Sequence, residues 1–232
     1  MLDLYTWAAP NGQKIQILVE ELGIPYTVRP VDITRGAQFA PEYLVLNPNN
    51  RIPTIVDHDP PSGFPRPHTV FESGAILVYL AEKHGRFLPA DPGGRSVALQ
   101  WLMWLTAGLG PMFGQLQHFH RYAPERQEYA LERYRKECYR LLDVMERRLT
   151  DHDYLAGEYS IADIACFPWL RLRKYGGLDP DRHSAINRWY AAIRARPAVG
   201  RGLAILTAEW VDIAKSDEAK ANLFGARQYE PK

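Results

Sequence analysis

The spacing of hydrophobic residues changes once along the chain. Up to about residue 86, short alternating or β-branched runs indicate strands, and spacings of three to four residues indicate helices between them. Strands are predicted at 2–6, 26–31, 53–57 and 69–71, and helices near 15–22, at 41–46 and from 73 onward. Gly23 and Pro25 are expected to end the first helix. The resulting order, βαβαββα, predicts a small α/β or α+β domain.

The second part of the chain shows only helical spacing. Residues 87–94 are rich in proline and glycine and are expected to form a linker. The predicted organisation is therefore a domain at 1–86, the linker, and an all-helical domain with a polar tail at 95–232. From about residue 215 the tail lacks clear periodicity, so it either packs as a strap or is loose.

Several helices are predicted within this second part. A helix at 97–109 should bend or break near Gly108, Gly110 and Pro111 and then resume through residue 119. Pro124 suits the first position of a long helix that runs to 149. Ser160 and Asp163 form a capping-box pattern at the start of another helix. Two more are expected near 186–193 and 203–206.

Composition narrows the functional classes. The chain has 232 residues, 46% hydrophobic and 24% charged, with a formal net charge of +1. These values are ordinary for a globular protein, and without a block of Lys or Arg they favour neither nucleic acid nor a membrane surface as a partner. The sequence start lacks a signal-peptide pattern, and Cys138 and Cys166 are expected to be buried thiols in helices, so a cytoplasmic protein is expected.

Candidate chemistry begins where the last predicted strand passes into a helix, at Glu72 and Ser73. The backbone N–H groups of a first helical turn, aided by the helix dipole, can bind a carboxylate. An adjacent acid can hold an ammonium group, so the pair suits an amino-acid head group. The alternative is that Ser73 caps the helix and Glu72 complements its dipole.

The second feature is Pro53 at the start of a predicted strand. A proline in this position lacks an N–H, which can leave the backbone of Ile52 free to pair with an external group. With both motifs in this order and spacing, the sequence resembles the glutathione transferase family. The resemblance implies a cis Ile52–Pro53 bond, backbone contacts from Ile52 to the cysteinyl part of glutathione, and a γ-glutamyl group held by Glu72 and Ser73. It also implies an N-terminal α/β thioredoxin-like domain followed by an all-α domain.

The family differs in the residue that stabilises the glutathione thiolate near the start of the first helix. Tyr5 is expected inside the first strand, which leaves Asn11 as the better candidate. Its side-chain amide can donate to a thiolate, and a helix N-terminus lowers a nearby thiol pKa. The competing interpretation is that Asn11 only caps the helix.

Five segments resemble a bacterial subgroup of nu-class, glutathione-dependent disulfide-bond oxidoreductases: 10–12, 36–39, 49–53, 71–76 and 108–115. This resemblance implies that two glutathiones, or one glutathione disulfide, bind without a covalent enzyme intermediate. No metal is expected. The implied catalytic residue is Asn11, and the implied glutathione ligands are Asn11, Gln38, Arg51, Ile52, Pro53, Glu72, Ser73 and Arg133. Ala9 is a departure, because some members carry threonine there, and activity could be weaker for it.

The sequence is also compatible with other functions. Besides reducing small disulfides, and organic hydroperoxides as a further substrate class, the chain could conjugate glutathione to an electrophile. Conjugation would require apolar room beside Trp104, Phe113 and Phe119, which equally suit a core. A non-catalytic interaction module is the third alternative. A metal site at His118 and His120 is not expected, because helix positions i and i+2 face apart. The family resemblance also implies a homodimer.

Overall fold

The computed structural model describes residues 1–230, so the last two residues of the predicted 95–232 domain lie outside the described part. Its strands form a single 4-stranded sheet in the order β2-β1-β3-β4. Their bounds are β1 Leu2–Thr6, β2 Tyr26–Pro30, β3 Thr54–Asp57 and β4 His68–Phe71. β1 runs parallel to β2 and antiparallel to β3, and β4 pairs antiparallel with β3. The predicted order βαβαββα is confirmed.

The chain folds into two compact units. The first comprises Met1–Ile76 together with the chain from Gly202 onward, and the second comprises Leu77–Arg201. The first unit contains the sheet, α1 Pro10–Leu22, α2 Pro41–Leu44, the start of α3 Ser73–His84, and α10 Asp217–Phe224. The predicted domain limits at 86 and 95 stay a prediction.

The core of the first unit joins the sheet to α1. Leu4 and Ile55, which are neighbours across β1 and β3, are fully buried, as are Ile15 and Leu18 on one face of α1. That face follows the i, i+3 spacing of an amphipathic helix. α1 ends at Gly23, whose left-handed backbone (φ 68°) lets its N–H reach Val19 O, as expected from a glycine C-cap.

The second unit is helical, apart from isolated bridges at 154–158. Its helices are the rest of α3 from Leu77, α4 Pro92–Trp104, α5 Gly110–Gln117, α6 Glu128–Thr150, α7 Ile161–Leu170, α8 Ser184–Arg194 and the start of α9 Pro197–Ala204. The capping box of α7 is present, with Ser160 Oγ accepting from Ala162 N and Asp163 accepting from Ser160 N. The predicted structural role of these residues is confirmed.

Two predicted helix starts are wrong. α4 begins at Pro92 and not at residue 97, because Asp91 caps it by accepting from Gly94 N at 2.7 Å. This cap offsets the low helix propensity of the two glycines that follow Pro92. α6 begins at Glu128 and not at Pro124, because the backbone of Gln127 is still non-helical. Proline tolerates a first helical turn without requiring one.

The bend expected near Gly108 and Pro111 takes the form of a π-helical turn, Leu105–Leu109, between α4 and α5. Its wider backbone bonding, Gly110 N to Leu105 O, accommodates the proline that follows without ending the helix. A second π-helical turn, His118–Tyr122, follows α5.

The polar tail packs within the first unit, so the strap alternative is confirmed for the described residues. α10 was not predicted from the sequence; Ser216 caps it by accepting from Ala219 N at 3.1 Å. Asn222 Nδ2 donates to Thr34 O at 2.8 Å and so attaches this helix to the loop after β2. Across residues 1–230, no helix combines the length and apolarity needed to cross a membrane.

Candidate active site

Asn11 lies in the first turn of α1, one residue after Pro10. The cap position belongs to Ala9, which has an extended backbone and no side-chain cap bond. Asn11 is therefore not the helix cap, contrary to the competing interpretation. Its side chain is partly exposed, and its amide has no hydrogen-bond partner among residues 1–230. The amide N–H groups can consequently be donated to a ligand.

The bend between β1 and α1 is held by buried contacts. Gln16 Nε2 lies 3.2 Å from Thr6 Oγ1 and 3.4 Å from Trp7 O. A Cβ on Gly12 would lie only 2.4 Å from Trp7 O, so α1 approaches the end of β1 more closely than any other residue type allows. Asn11 is thus carried on a fixed turn and not on a mobile loop.

Ile52 and Pro53 are joined by a cis peptide bond, as the resemblance implies. Tyr43 Oη and Asn47 Nδ2 donate to Arg51 O at 2.6 Å and 2.7 Å. Burial raises the pKa of Tyr43, so its hydroxyl stays protonated and remains a donor. The backbone N–H and C=O of Ile52 have no partner in the described part of the chain. They can therefore pair with an extended peptide ligand.

The start of α3 combines an acid with an anion site. Glu72 has a left-handed backbone (φ 70°), which is uncommon for a residue with a Cβ, and its side chain is exposed. Its carboxylate accepts from Asn49 Nδ2 at 3.0 Å. Ile76 N is the first amide of the helix to find an intrahelical acceptor, Glu72 O, so the preceding N–H groups from Ser73 onward have none. An ammonium and a carboxylate can therefore bind side by side.

Lys14 adds a positive charge beside this anion site. It is only 3% exposed, and its Nζ lies 3.2 Å from Ser73 Oγ, which is itself 7% exposed. Sequence reasoning did not single it out. The available signal was its position four residues before Leu18, which places a charged residue on the apolar face of α1.

Three contacts bring these segments together within the first unit. The Cβ position of Gly12 lies 3.4 Å from Ile52 Cδ1, Asn49 bonds to Glu72, and Lys14 bonds to Ser73. The start of α1, the cis-proline loop and the start of α3 thus surround one region. Candidate donors to a thiolate, a peptide backbone and a zwitterionic head group all lie there.

Gln38 and Arg51 contact the C-terminal tail. Gln38 is 2% exposed; its Nε2 lies 3.5 Å from Asn222 O, and its Oε1 is buried with no partner in residues 1–230. Arg51 Nη1 donates to Gln228 Oε1 at 2.6 Å, and Gln228 Nε2 donates to Asn222 O at 2.6 Å. Asn222 and Gln228 were not predicted from the sequence, because the tail carries no periodic signal.

Arg133 and the two cysteines lie in the second unit. Arg133 is on α6 with its side chain 59% exposed, and its Nη1 is 3.8 Å from Glu137. Cys138 and Cys166 are buried in α6 and α7, as expected, and neither forms a disulfide. Burial raises the pKa of Cys138 to about 12, so its thiol is protonated at neutral pH. A protonated, buried thiol is not a nucleophile.

The aromatic residues considered for an electrophile pocket take part in packing within the second unit. Phe113 is 1% exposed, Phe119 stacks on Tyr134, and Trp104 packs edge-on against Trp101. Among residues 1–230, no group of His, Cys, Asp and Glu has the geometry to hold a metal ion.

The family is decided by comparison with known proteins. Residues 1–82 match the model of the glutathione S-transferase N-terminal domain, and residues 128–192 match that of the C-terminal domain. The chain is 48% identical to the disulfide-bond oxidoreductase YfcG of Escherichia coli over 88% of this chain and 94% of that protein. It belongs to the glutathione S-transferase family. A second E. coli relative of this glutathione S-transferase, the disulfide-bond oxidoreductase YghU, is 41% identical over 87% of this chain and 73% of that protein.

Solved structures similar to this glutathione S-transferase contain the expected ligand. A glutathione transferase from Burkholderia graminis, with two glutathione molecules bound per subunit, is 44% identical with a TM-score of 0.82, covering 87% of each chain. One from Pseudomonas putida, with one glutathione disulfide bound per subunit, is 43% identical with a TM-score of 0.83, covering 88% of this chain and 91% of that chain. The glutathione transferase fold, a thioredoxin-like domain followed by a helical domain, is confirmed.

Proposed function

We propose that this glutathione S-transferase is a glutathione-dependent disulfide-bond oxidoreductase that reduces small disulfides, with organic hydroperoxides as a further substrate class. The observation that carries the proposal is the common location of the Asn11 amide, the unpaired Ile52 backbone and the Glu72–Ser73 helix start. The relatives named disulfide-bond oxidoreductases support it, as do the similar proteins that bind two glutathiones or glutathione disulfide. They favour this reaction over conjugation and over a non-catalytic module.

Five of the predicted ligands, Asn11, Ile52, Pro53, Glu72 and Ser73, have a defined role in this proposal. Glu72 binds the γ-glutamyl ammonium, and Ser73 with the first turn of α3 binds the γ-glutamyl carboxylate. The backbone of Ile52, fixed by Pro53, pairs with the cysteinyl residue. Asn11 donates to the thiolate, and the start of α1 lowers the thiol pKa. Gln38, Arg51 and Arg133 complete the predicted set.

The reaction is thiol–disulfide exchange with glutathione as the reductant. A glutathione thiolate attacks one sulfur of the substrate disulfide, the S–S bond breaks, and the departing thiolate takes up the proton released by glutathione. A second glutathione thiolate then attacks the mixed disulfide and releases the other substrate thiol. The products are two substrate thiols and one glutathione disulfide. The enzyme positions the sulfurs and stabilises the thiolate, so it supplies no sulfur of its own.

Assembly and compartment follow as parts of the same proposal. We infer a two-fold homodimer, in keeping with the usual symmetry of soluble oligomers, and light scattering after gel filtration measures it directly. A cytoplasmic location suits both the reaction, which needs reduced glutathione, and the two unlinked cysteines.

The assay of choice is reduction of 2-hydroxyethyl disulfide by glutathione. Asn11→Ala removes the amide donor, and Asn11→Asp keeps the size but places a negative charge near the thiolate. We expect kcat/KM to fall by roughly tenfold or more in Asn11→Ala and further in Asn11→Asp, because a donor to a developing anion is lost or reversed. Wild-type protein that binds glutathione but reduces no disulfide would contradict the proposal.

A further inference from the structure

We propose that Lys14 is a positioning residue for the γ-glutamyl carboxylate and that it acts through Ser73. This inference rests on the proposed function, because it concerns the same glutathione site. It assigns a role to a residue that the sequence motifs did not include.

The burial of Lys14 is the first observation. Its side chain lies on the apolar face of α1 beside Ile15 and Leu18, both fully buried, and carries its ammonium group to the start of α3. Burying an ammonium costs free energy, which hydrogen bonds and opposite charge offset. The hydroxyl of Ser73 accepts one of these hydrogen bonds. A ligand carboxylate that accepts from this hydroxyl makes its oxygen a better acceptor for the ammonium, and so strengthens the bond from Lys14.

The direction of the hydrogen bond is the second observation. An ammonium group can only donate, so Ser73 Oγ is the acceptor in the 3.2 Å contact with Lys14 Nζ. The hydroxyl hydrogen of Ser73 is then directed away from Lys14 and is available as a donor. Donation by a cation polarises the hydroxyl and strengthens its own bond to an acceptor. Lys14 thus fixes Ser73 as a donor aimed at a carboxylate.

The charges around the head group differ between the two sides of the helix start. Glu72 is an exposed acid, which favours an ammonium and opposes a carboxylate. On the Ser73 side of the same turn, the hydrogen bond from Lys14 makes the hydroxyl a stronger donor to a carboxylate. The two residues therefore separate the ends of a zwitterion, with the ammonium directed toward Glu72 and the carboxylate toward Ser73. A ligand with the ammonium alone would gain nothing from Lys14.

The competing role for Lys14 is a structural tether between α1 and α3. A comparison of two ligands distinguishes this role from the proposed one. The test compares glutathione with 4-aminobutyryl-cysteinylglycine, which lacks only the γ-glutamyl carboxylate. Binding of both is measured by calorimetry on wild type, Lys14→Met, Ser73→Ala and the double variant. Lys215→Met serves as control, because it removes one charge from an exposed position in the same unit.

We expect wild type and Lys215→Met to bind glutathione on the order of tenfold more tightly than the analogue, since a hydrogen bond to a charged group is lost with the carboxylate. In Lys14→Met the two ligands should bind within about threefold of each other. The double variant should match Ser73→Ala, because Lys14 acts through that hydroxyl. If Lys14→Met does not fold, Lys14→Gln, which keeps a donor without charge, takes its place.

Three results would overturn the inference. If Lys14→Met weakens the binding of both ligands equally, Lys14 is a tether. If the double variant binds glutathione, but not the analogue, more weakly than Ser73→Ala does, Lys14 acts independently of Ser73. Wild type that fails to bind glutathione would instead remove the proposed function itself, together with this inference.

Discussion

Arg51 Nη1 donates a hydrogen bond to Gln228 Oε1 at 2.6 Å, although the two residues are 177 positions apart in the chain. Gln228 also donates to Asn222 O, which accepts from Gln38. The tail therefore orders two predicted glutathione ligands. Arg227, the residue before Gln228, packs on Phe39, the residue after Gln38. Its guanidinium lies 4.7 Å from the centre of the Phe39 ring. Residues 222–228 are in this sense part of the candidate site.

Gln228→Ala tests the role of the tail. Loss of its bond leaves Arg51 less ordered, so the KM for glutathione should rise about threefold, as expected for a net loss of one hydrogen bond, while kcat stays nearly constant. Glu218→Ala, at an exposed position of α10, is the matched control and should leave both constants unchanged. A lower KM in Gln228→Ala would instead mean that the tail competes with glutathione.

Gly12→Ala tests whether the turn that carries Asn11 depends on close approach. The new Cβ would lie 2.4 Å from Trp7 O, a backbone atom, and 2.5 Å from Thr6 Oγ1. The free energy of unfolding should fall by roughly 1–3 kcal/mol, as for overpacked cores, despite the better helix propensity of alanine. Gly200→Ala is the control, because nothing lies within 4 Å of its Cβ position in α9. Urea denaturation of both variants gives the comparison, and an equal effect would refute the close-approach argument.

Asp163→Asn tests the buried cap of α7. Asp163 accepts from Leu155 N, Ser160 N and Trp189 Nε1, and an amide cannot accept at both of its ends. The variant should lose about 2 kcal/mol or more of stability at neutral pH. Asp153→Asn, at an exposed position of the preceding loop, should change little.

The stability difference between the wild type and this variant should depend on pH, because only the wild type has the Asp163 carboxyl. Burial raises the pKa of Asp163 to about 6, against the hydrogen bonds that lower it. The folded state then retains a proton that the unfolded carboxyl releases at about pH 4. The stabilising contribution of Asp163 is therefore largest below that pH and decreases as the pH rises toward 6. The stability difference between wild type and Asp163→Asn should shrink over this interval, and a difference that grows would contradict the raised pKa.

Local signals account for most of what the sequence predicted. The strands, the glycine stop of α1 and the capping box of α7 each depend on residues within a few positions of one another, so spacing alone identifies them. The start of α4 was missed because two glycines conceal a cap at Asp91. The role of the tail was not predictable, because it depends on hydrogen bonds between residues far apart in sequence. Asn222 bonds to Thr34, and Gln228 bonds to Arg51.

Some residues of the candidate site could likewise be identified from local sequence, and others could not. Asn11 and Ser73 were found because turn and helix-start residues stand out locally, whereas Lys14 reads as an ordinary charge until its burial is known. The ligand contacts of all the predicted site residues, Arg133 included, stay predictions.

The central claim is that glutathione alone supplies the reacting sulfurs. Cys138→Ala and Cys166→Ala together remove both cysteines of the chain, and both side chains are fully buried. The decisive measurement is kcat/KM for glutathione-dependent reduction of 2-hydroxyethyl disulfide by this double variant, with circular dichroism as the control for folding. The account predicts a value within about threefold of wild type, since neither thiol takes part. Loss of activity in a folded double variant would contradict it.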